Sequence, residues 1–469
     1  MCHRFHGAAA QPEESTNFWT ARKLQRTRLG IVQEGRVMNA CQLAKGLLEK
    51  AQSLKPVKRF CLRGMAGLLA GIVFLALPLN AQNGAGDRSV DGIYSGTIGD
   101  QQIVVELRGT LEGKYGENYA NAEDSHTYPI RGSYFYRRHG VSIELLGTPL
   151  GDSALRLREY RHIVAADEFT AEWRITMREG KATGTFCKCD LGRPSASAEP
   201  RLNISLTRVS KELSPDSGWE NYKPNSGNTY YDLLLDFPLQ PGREIRVGPQ
   251  VTYRMRTDAR FRVSRPQLIR FPKAAVMAEI NRDLDADLTH NRLWAAAVLS
   301  GGESGARFGG IYDEKTTVNV FLPHILSVLV ETEWFSGGAH PNEGGYSLNY
   351  DLHTGKRFDL EEAFQTSPGN EAESGAVLAE LYLRHYVKPP AGEAAVDDCE
   401  KIVSESVSRK DVPFRPLLYL SKEGLAIEPP LPHAVQACGP GVTVPYRELQ
   451  PFVKSGSPLR SLVDARASN

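Results

Sequence analysis

A chain of 469 residues, 41% hydrophobic and 24% charged, is longer than one ordinary domain and has the makeup of a globular protein. No apolar tract reaches the roughly 18 to 20 residues of a spanning helix, which excludes a polytopic membrane protein. The formal charge of +1 hides an asymmetry: residues 1–81 hold 12 Lys/Arg and 4 Asp/Glu, leaving 44 basic against 51 acidic residues, a formal −7, in the remainder. That sign argues against nucleic acid or anionic lipid as the main partner and favours a basic one.

Residues 1–37 have no evident role, and Met38 is read as the natural start. The stretch 38–81 reads as a secretory signal peptide. Lys55, Lys58, Arg59 and Arg63 precede the apolar run Met65–Leu79, and a small residue, Ala81, follows it. Cleavage after Ala81 leaves no stable membrane span and implies an exported protein, periplasmic or extracellular. A retained N-terminal anchor is the alternative, and the shortness of the run weighs against it.

Residues 88–210 alternate apolar and polar positions in short runs, among them "QIVVELRG", "GVSIELLG", "FTAEWRIT" and "RLNISLTRV". Period-two runs at close spacing predict an all-β antiparallel domain, a small barrel or a curved sheet. Tyr94, Tyr134, Tyr136 and Trp173 are read as packing residues of that sheet in preference to a ligand pocket. The polar tract "GKYGENYANAEDSH" reads as an excursion between strands. Cys187 and Cys189, two apart in "TFCKCD", allow a strained local disulfide; zinc would need a second ligand pair.

Residues 211–249, rich in Pro, Ser, Gly and Asn, are read as a linker. An α+β domain is expected over 250–456. It has a strand at "VTYRMRT", a helix with Val276, Ile280, Leu284 and Leu288 on one face, and strands at "TTVNVFLP", "ILSVLVETEWFSG" and "GYSLNYDL". A second helix, a hairpin turning at Lys422–Gly424, a strand "GVTVPY" and a short helix "RELQPFV" complete it, and 457–469 is read as a tail. Strands and helices mix without strict alternation, hence α+β. Cys399 and Cys438 form the preferred disulfide in an exported chain.

The segment "SGGAHPN", then "SLNYDLHTGKRFDLEEAF", then "LYLSKEGLAI" with "VTVPYRELQPF", together with "AEINRD" in the first helix, resembles a family of extracytoplasmic domains of unknown function. The family includes the sensor region of the RsiV-type lysozyme-sensing anti-sigma factor. The resemblance spans about Gln250 to Val453 and leaves the β domain uncovered. It implies binding more than catalysis, with the motif-loop residues Gly337, Gly338, His340, Asn342 and Asp351 as the binding candidates and lysozyme or a similar basic muramidase as the sharpest ligand. The chain lacks a convincing cytoplasmic segment and spanning helix, so signalling by the anti-sigma route is not expected.

Catalytic patterns are sparse. H-E-x-x-H and G-x-S-x-G are absent, and "LSGGESGARFGG" lacks phosphate-loop spacing. His340 has Glu343 near it but no second ligand at metal spacing, so it is read as a brace for a glycine-rich turn. Asp283, Asp285 and Asp287 are read as solvated residues spread round a helix, and Asp359 as the cap ahead of Glu361 and Glu362. The expectation is a non-enzymatic envelope protein, without cofactor or metal, that binds a basic protein such as lysozyme or a peptidoglycan fragment. The alternative is an envelope glycan hydrolase or deacetylase with His340 and Asp351 in its site.

Overall fold

The computed structural model describes residues 89–111, 128–160, 169–190, 193–194, 201–214, 218–223, 229–301, 310–336, 340–364, 371–390, 398–408 and 414–467. The signal-like segment, Cys2, Cys41, Cys61 and most of the "GKYGENYANAEDSH" and "LSGGESGARFGG" tracts lie outside the described residues.

The first part is a closed up-and-down β-barrel, as the alternating runs predict. Strands β1 (Gly92–Ile98), β2 (Gln101–Gly109), β3 (Ile130–Tyr136), β4 (Ile143–Pro149), β5 (Ala154–Tyr160), β6 (Phe169–Arg178) and β7 (Lys181–Asp190) pair antiparallel in sequence order. After the two-residue strand β8 (Arg193–Pro194), β9 (Leu202–Ser210) enters between β7 and β1 and closes the ring. Closure removes the free edges that an open sheet would expose. Glycine is required where strands run close: a Cβ on Gly96 would strike the Ser205 carbonyl, and one on Gly184 the Arg174 carbonyl.

Inward positions are filled with Tyr94, Ile103, Val105, Tyr134, Leu155, Leu157, Trp173 and Ile175 among others, all buried. Tyr134 meets Trp173 edge to face at 4.9 Å and Tyr136 at 5.5 Å. The barrel interior is thus a packed aromatic core, the reading preferred from sequence.

The stretch expected as a linker carries a 3-10 turn at Gly218–Asn221, helix α1 (Thr229–Leu235) and strand β10 (Gln240–Arg246). Tyr230 and Leu234 of α1 pack with Ile93, Val104 and Phe135 from the outer face of the barrel, and with Phe261, Leu288, Leu293 and Val298 beyond it. Tyr230 Oη also bonds Ser133 and Ser142 of the barrel at 3.1 and 3.0 Å. The barrel and the following half therefore share a hydrophobic core. Asp258, fully buried, holds the same junction. It accepts from Arg260 and Arg292, and those guanidiniums reach the carbonyls of Leu234, Leu235 and Phe237. Burial alone would favour the neutral acid, but the two guanidiniums hold Asp258 below the usual carboxylate range.

The second half is α+β. Strands β10, β11 (Thr252–Asp258) and β12 (Val263–Arg270) form one antiparallel sheet; β13 (Ile311–Phe321), β14 (Ile325–Phe335), β15 (Asn342–Asp351) and β16 (Arg357–Phe358) form another. Helix α2 (Ala274–Leu299) buries Val276, Ile280 and Leu284 against Tyr253 and Leu268 of the first sheet and Leu326, Val328, Val330, Leu348 and Tyr350 of the second. Asn281 of the "AEINRD" motif donates to the Leu268 carbonyl and accepts from its N–H, at 2.9 and 2.8 Å. One side-chain amide thereby occupies a backbone pair on β12.

Asp283 and Asp285 of α2 keep 41% and 49% of their side-chain surface exposed, as expected, whereas Asp287, at 14%, is largely covered; all three also have partners. Asp283 accepts from Tyr350, Asp285 pairs with Arg256, and Asp287 pairs with the fully buried Arg265 at 2.5 Å. Asp287 becomes a core partner because the sheet brings the buried Arg265 to it, and period alone does not say where that sheet lies.

Helices α3 (Glu371–His385) and α4 (Cys399–Val407), strands β17 (Leu417–Leu420), β18 (Gly424–Glu428) and β19 (Val442–Pro445), and helices α5 (Tyr446–Leu449) and α6 (Pro458–Ala467) build a C-terminal lobe around one core. Leu459, Leu462 and Val463 of α6 are buried in it, in the stretch read as a tail. A disulfide joins Cys399 to Cys438, as expected. No helix among the described residues is long and apolar enough to cross a membrane.

Candidate functional site

Strand alternation gives the β13–β15 sheet two faces. Leu326, Val328 and Val330 face α2; the residues between them face the C-terminal lobe. On that second face the register aligns Asp313 with Glu333 and Glu343, and Lys315 with Glu331 and Gly345. Farther along, Asn319 and Ser347 donate to the carbonyls of Leu420 and Leu418 at 3.0 and 2.8 Å, so β17 covers this part of the face. The lobe seals the polar middle of the sheet and leaves the carboxylates at the end where β14 turns toward His340.

From the lobe, Glu428 of β18 approaches the same row. Tyr419 Oη donates to its carboxyl at 3.0 Å. Burial, with the charge of Glu331 adding, pushes Glu428 up to about 8. Glu343 is also raised, first by burial and then by Glu333 opposite it, while the Gln436 amide at 3.4 Å and the His433 ring work against the rise. Lys315 Nζ lies 3.5 Å from Glu331. The result is a row of five carboxyl groups, Asp313, Glu331, Glu333, Glu343 and Glu428, met by Lys315 at Glu331 and by Arg262 at Asp313 among the described residues. Such a row attracts a cationic group. Glu428, protonated near neutrality, adds a hydrogen-bond donor.

His340 stands at the rim, exposed. Its Nδ1 donates to the Pro341 carbonyl at 2.9 Å, and its ring stacks on His433 with centroids 4.2 Å apart. Asn342 opens β15 opposite Trp334. Gly337 and Gly338 lie outside the described residues. Asp351 is not in this neighbourhood. It sits at the other end of the ten-residue β15, roughly 30 Å away at about 3.4 Å per residue, where it accepts from His353 N and Thr354 Oγ1 and closes the following turn. Pairing His340 with Asp351 thus fails on strand length. Asp359 accepts from Glu361 N at 2.8 Å, but the expected N-cap position is held by Leu360, ahead of the 3-10 turn Glu361–Ala363 and without a side-chain cap bond.

Among the described residues no group of three His, Cys, Asp or Glu is placed to hold a metal ion. Cys187 lies on β7, its thiol donating to the Lys188 carbonyl at 3.4 Å; the side chain of Cys189 lies outside the described residues.

A second buried carboxyl went unmarked in sequence. Glu159 points into the barrel and accepts from Tyr134 at 2.5 Å, Trp173 Nε1 at 3.0 Å and Thr170 at 3.3 Å; burial raises its pKa against these bonds. The signal was present in "ALRLREY", where Glu159 shares the inward phase of Leu155 and Leu157. Glu428 carried a weaker one, a glutamate closing the buried run "GLAI".

No protein-family model matches the chain, and no curated protein matches it. Solved structures similar to it include a DUF3298 family member from Bacteroides fragilis, at 13% identity and TM-score 0.30, and a DUF3298 family protein from Pseudomonas aeruginosa, at 15% and 0.27. Each is matched over 98% of its own length and 48% of this chain.

Proposed function

We propose that this is an exported cell-envelope protein whose α+β half binds a positively charged protein, of the lysozyme kind, at the carboxylate row beside His340. The observation that carries the reading is the row itself: Asp313, Glu333 and Glu343 in one register line, with Glu331 and Glu428 beside them. Export is supported by the basic-then-apolar segment ending at Leu79 and by the Cys399–Cys438 disulfide, which suits an oxidising compartment. The net acidic charge after residue 81 supports a basic partner.

The test is binding of the purified protein to a lysozyme across a salt series. Binding that weakens steeply with salt and falls at least tenfold in Glu333→Gln/Glu343→Gln is expected. No detectable binding at low salt sinks the lysozyme reading, and retention on a peptidoglycan fragment instead would move the ligand to the cell wall.

A second reading, a glycan hydrolase, is favoured by one observation. Burial, with Glu331 adding, raises the pKa of Glu428, as a general acid beside a second carboxyl needs. It moves the chemistry away from His340 and Asp351. Release of reducing ends from peptidoglycan, lost in Glu428→Gln, would establish it; no release over a long incubation removes it.

A further inference from the structure

The stretch 240–273 carries nine Lys/Arg and two Asp/Glu, in a chain that is otherwise acidic beyond residue 81. Four of those arginines are spent on carboxylates: Arg256 on Asp285, Arg260 on Asp258, Arg262 on Asp313, and Arg265 on Asp287 and Glu314. Arg246 and Arg254 are not. Arg254 donates twice to the neutral Gln267 amide, at 3.1 and 3.0 Å. Arg246 donates to the carbonyls of Gly248 and Pro249, at 3.2 and 3.1 Å. Arg270 makes no side-chain hydrogen bond or ion pair among the described residues, and neither does Glu244.

The register turns this surplus into a place. Arg246, Thr252 and Arg270 align across the three strands of the β10–β12 sheet, next to the line of Glu244, Arg254 and Gln267. Between β11 and β12 the register shifts after Thr252, inserting Ile269. The sheet is hollowed at that point: a depression of about 550 Å³ is lined by Glu244, Arg246, Thr252, Ile269 and Arg270. This lies within the range of small-ligand sites, roughly 300–1,000 Å³; the depression is open to solvent and sets Ile269 and Thr252 among three charged side chains.

We infer that this hollow is a binding site for a ligand bearing a phosphate or carboxylate group. The oxyanion is held between the guanidiniums of Arg246 and Arg270, and the uncharged part of the ligand covers Ile269 and Thr252. Guanidinium is suited to the task because its fixed fork of donors matches either oxyanion. The carbonyl contacts of Arg246 fix that side chain in advance, so less freedom is lost on binding. Glu244 at the rim disfavours a ligand whose negative charge extends over the whole hollow. The site is separate from the carboxylate row, and its ligand has the opposite charge.

The experiment is a calorimetric titration of the purified protein at low salt with inorganic phosphate, with trigalacturonate and with neutral maltotriose. Saturable binding of at least one anion, weakened by added salt and absent with maltotriose, is expected. Arg270→Gln should weaken it at least tenfold, and Arg246→Gln/Arg270→Gln should abolish it, with Lys181→Gln unchanged as an exposed basic control from the barrel. Phosphate binding alone would identify a phosphoryl ligand, and trigalacturonate alone a carboxylated glycan. Melting temperatures are compared for every variant. Because Arg270 has no side-chain partner among the described residues, its substitution reads out the site even if Arg246 variants fold poorly. No saturable binding of either anion, or binding that Arg270→Gln leaves intact, overturns the proposal.

Discussion

The imidazoles of His340 and His433 lie parallel, tilted by 13°, and so tie the turn between β14 and β15 to the 3-10 segment His433–Cys438. Both rings are exposed. The stack therefore joins two surfaces and does not support a core. His340→Ala is expected to lower stability by less than about 1 kcal/mol, within the range of a single ring contact. Urea denaturation measures it, and a loss above about 2 kcal/mol would instead make His340 a structural brace.

The same segment is anchored by Cys438, bonded to Cys399 39 residues earlier and almost fully buried with it. Replacing both by serine should cost roughly 3–4 kcal/mol, the loop-closure value for that length. It should also loosen Gln436 and His433 from Glu343. The variant should therefore bind its basic partner less tightly even at temperatures where it remains folded, and a variant that binds normally would separate the disulfide from the site.

Glu428 gives a pH prediction. Its ordinary value is 4.5 and burial pushes it up to about 8, so the neutral acid is the form that the fold favours. That contribution is fully present below about pH 4.5 and is lost as the pH rises through 8. Glu428→Gln, neutral at every pH, should match the parent near pH 4.5 and exceed it by more than about 1 kcal/mol at pH 9. Melting curves across that interval provide the check, and parallel pH profiles would contradict the burial of the acid.

Trp173 is completely buried in the barrel and donates to the buried Glu159. Trp173→Ala should cost about 3–5 kcal/mol for the cavity alone, with more for the donor withdrawn from Glu159. Trp173→Phe keeps most of the volume and isolates the lost hydrogen bond. Near-equal stability of the two variants, measured by denaturant titration, would show that packing contributes little here.

The barrel was legible because inward and outward positions alternate over most of its strands, a pattern that survives any arrangement of neighbours. The stretch 211–249 was not. Its Pro, Ser and Gly read as a connector, yet Tyr230 and Leu234 are core residues whose partners, Phe135 and Val298, are distant in sequence on both sides. Asp287 departs from its solvated reading for the same reason, since its partner Arg265 stands on a strand.

At the candidate site, the glycine-rich setting marks His340 in the sequence and Glu343 as its neighbour, but not the other carboxylates of the row. Glu331 and Glu333 look unremarkable along the chain, and join Glu343 in a row only when β14 and β15 pair in one register.

The amino-acid sequence by itself determined the local choices: the barrel strands, the apolar stripe of α2, the C-terminal hairpin, its turn expected at Lys422–Gly424 and found one residue earlier, and the Cys399–Cys438 pairing. These rest on period, turn chemistry and parity, which are properties of neighbouring residues. The tertiary structure alone decided that His340 and Asp351 stand at opposite ends of one strand, that Glu428 enters a row begun by Asp313, and that Arg270 is left without a carboxylate while Arg265 has two. Charge and burial are set by what lies across a sheet or under a lobe, and a linear order of residues does not contain that distance.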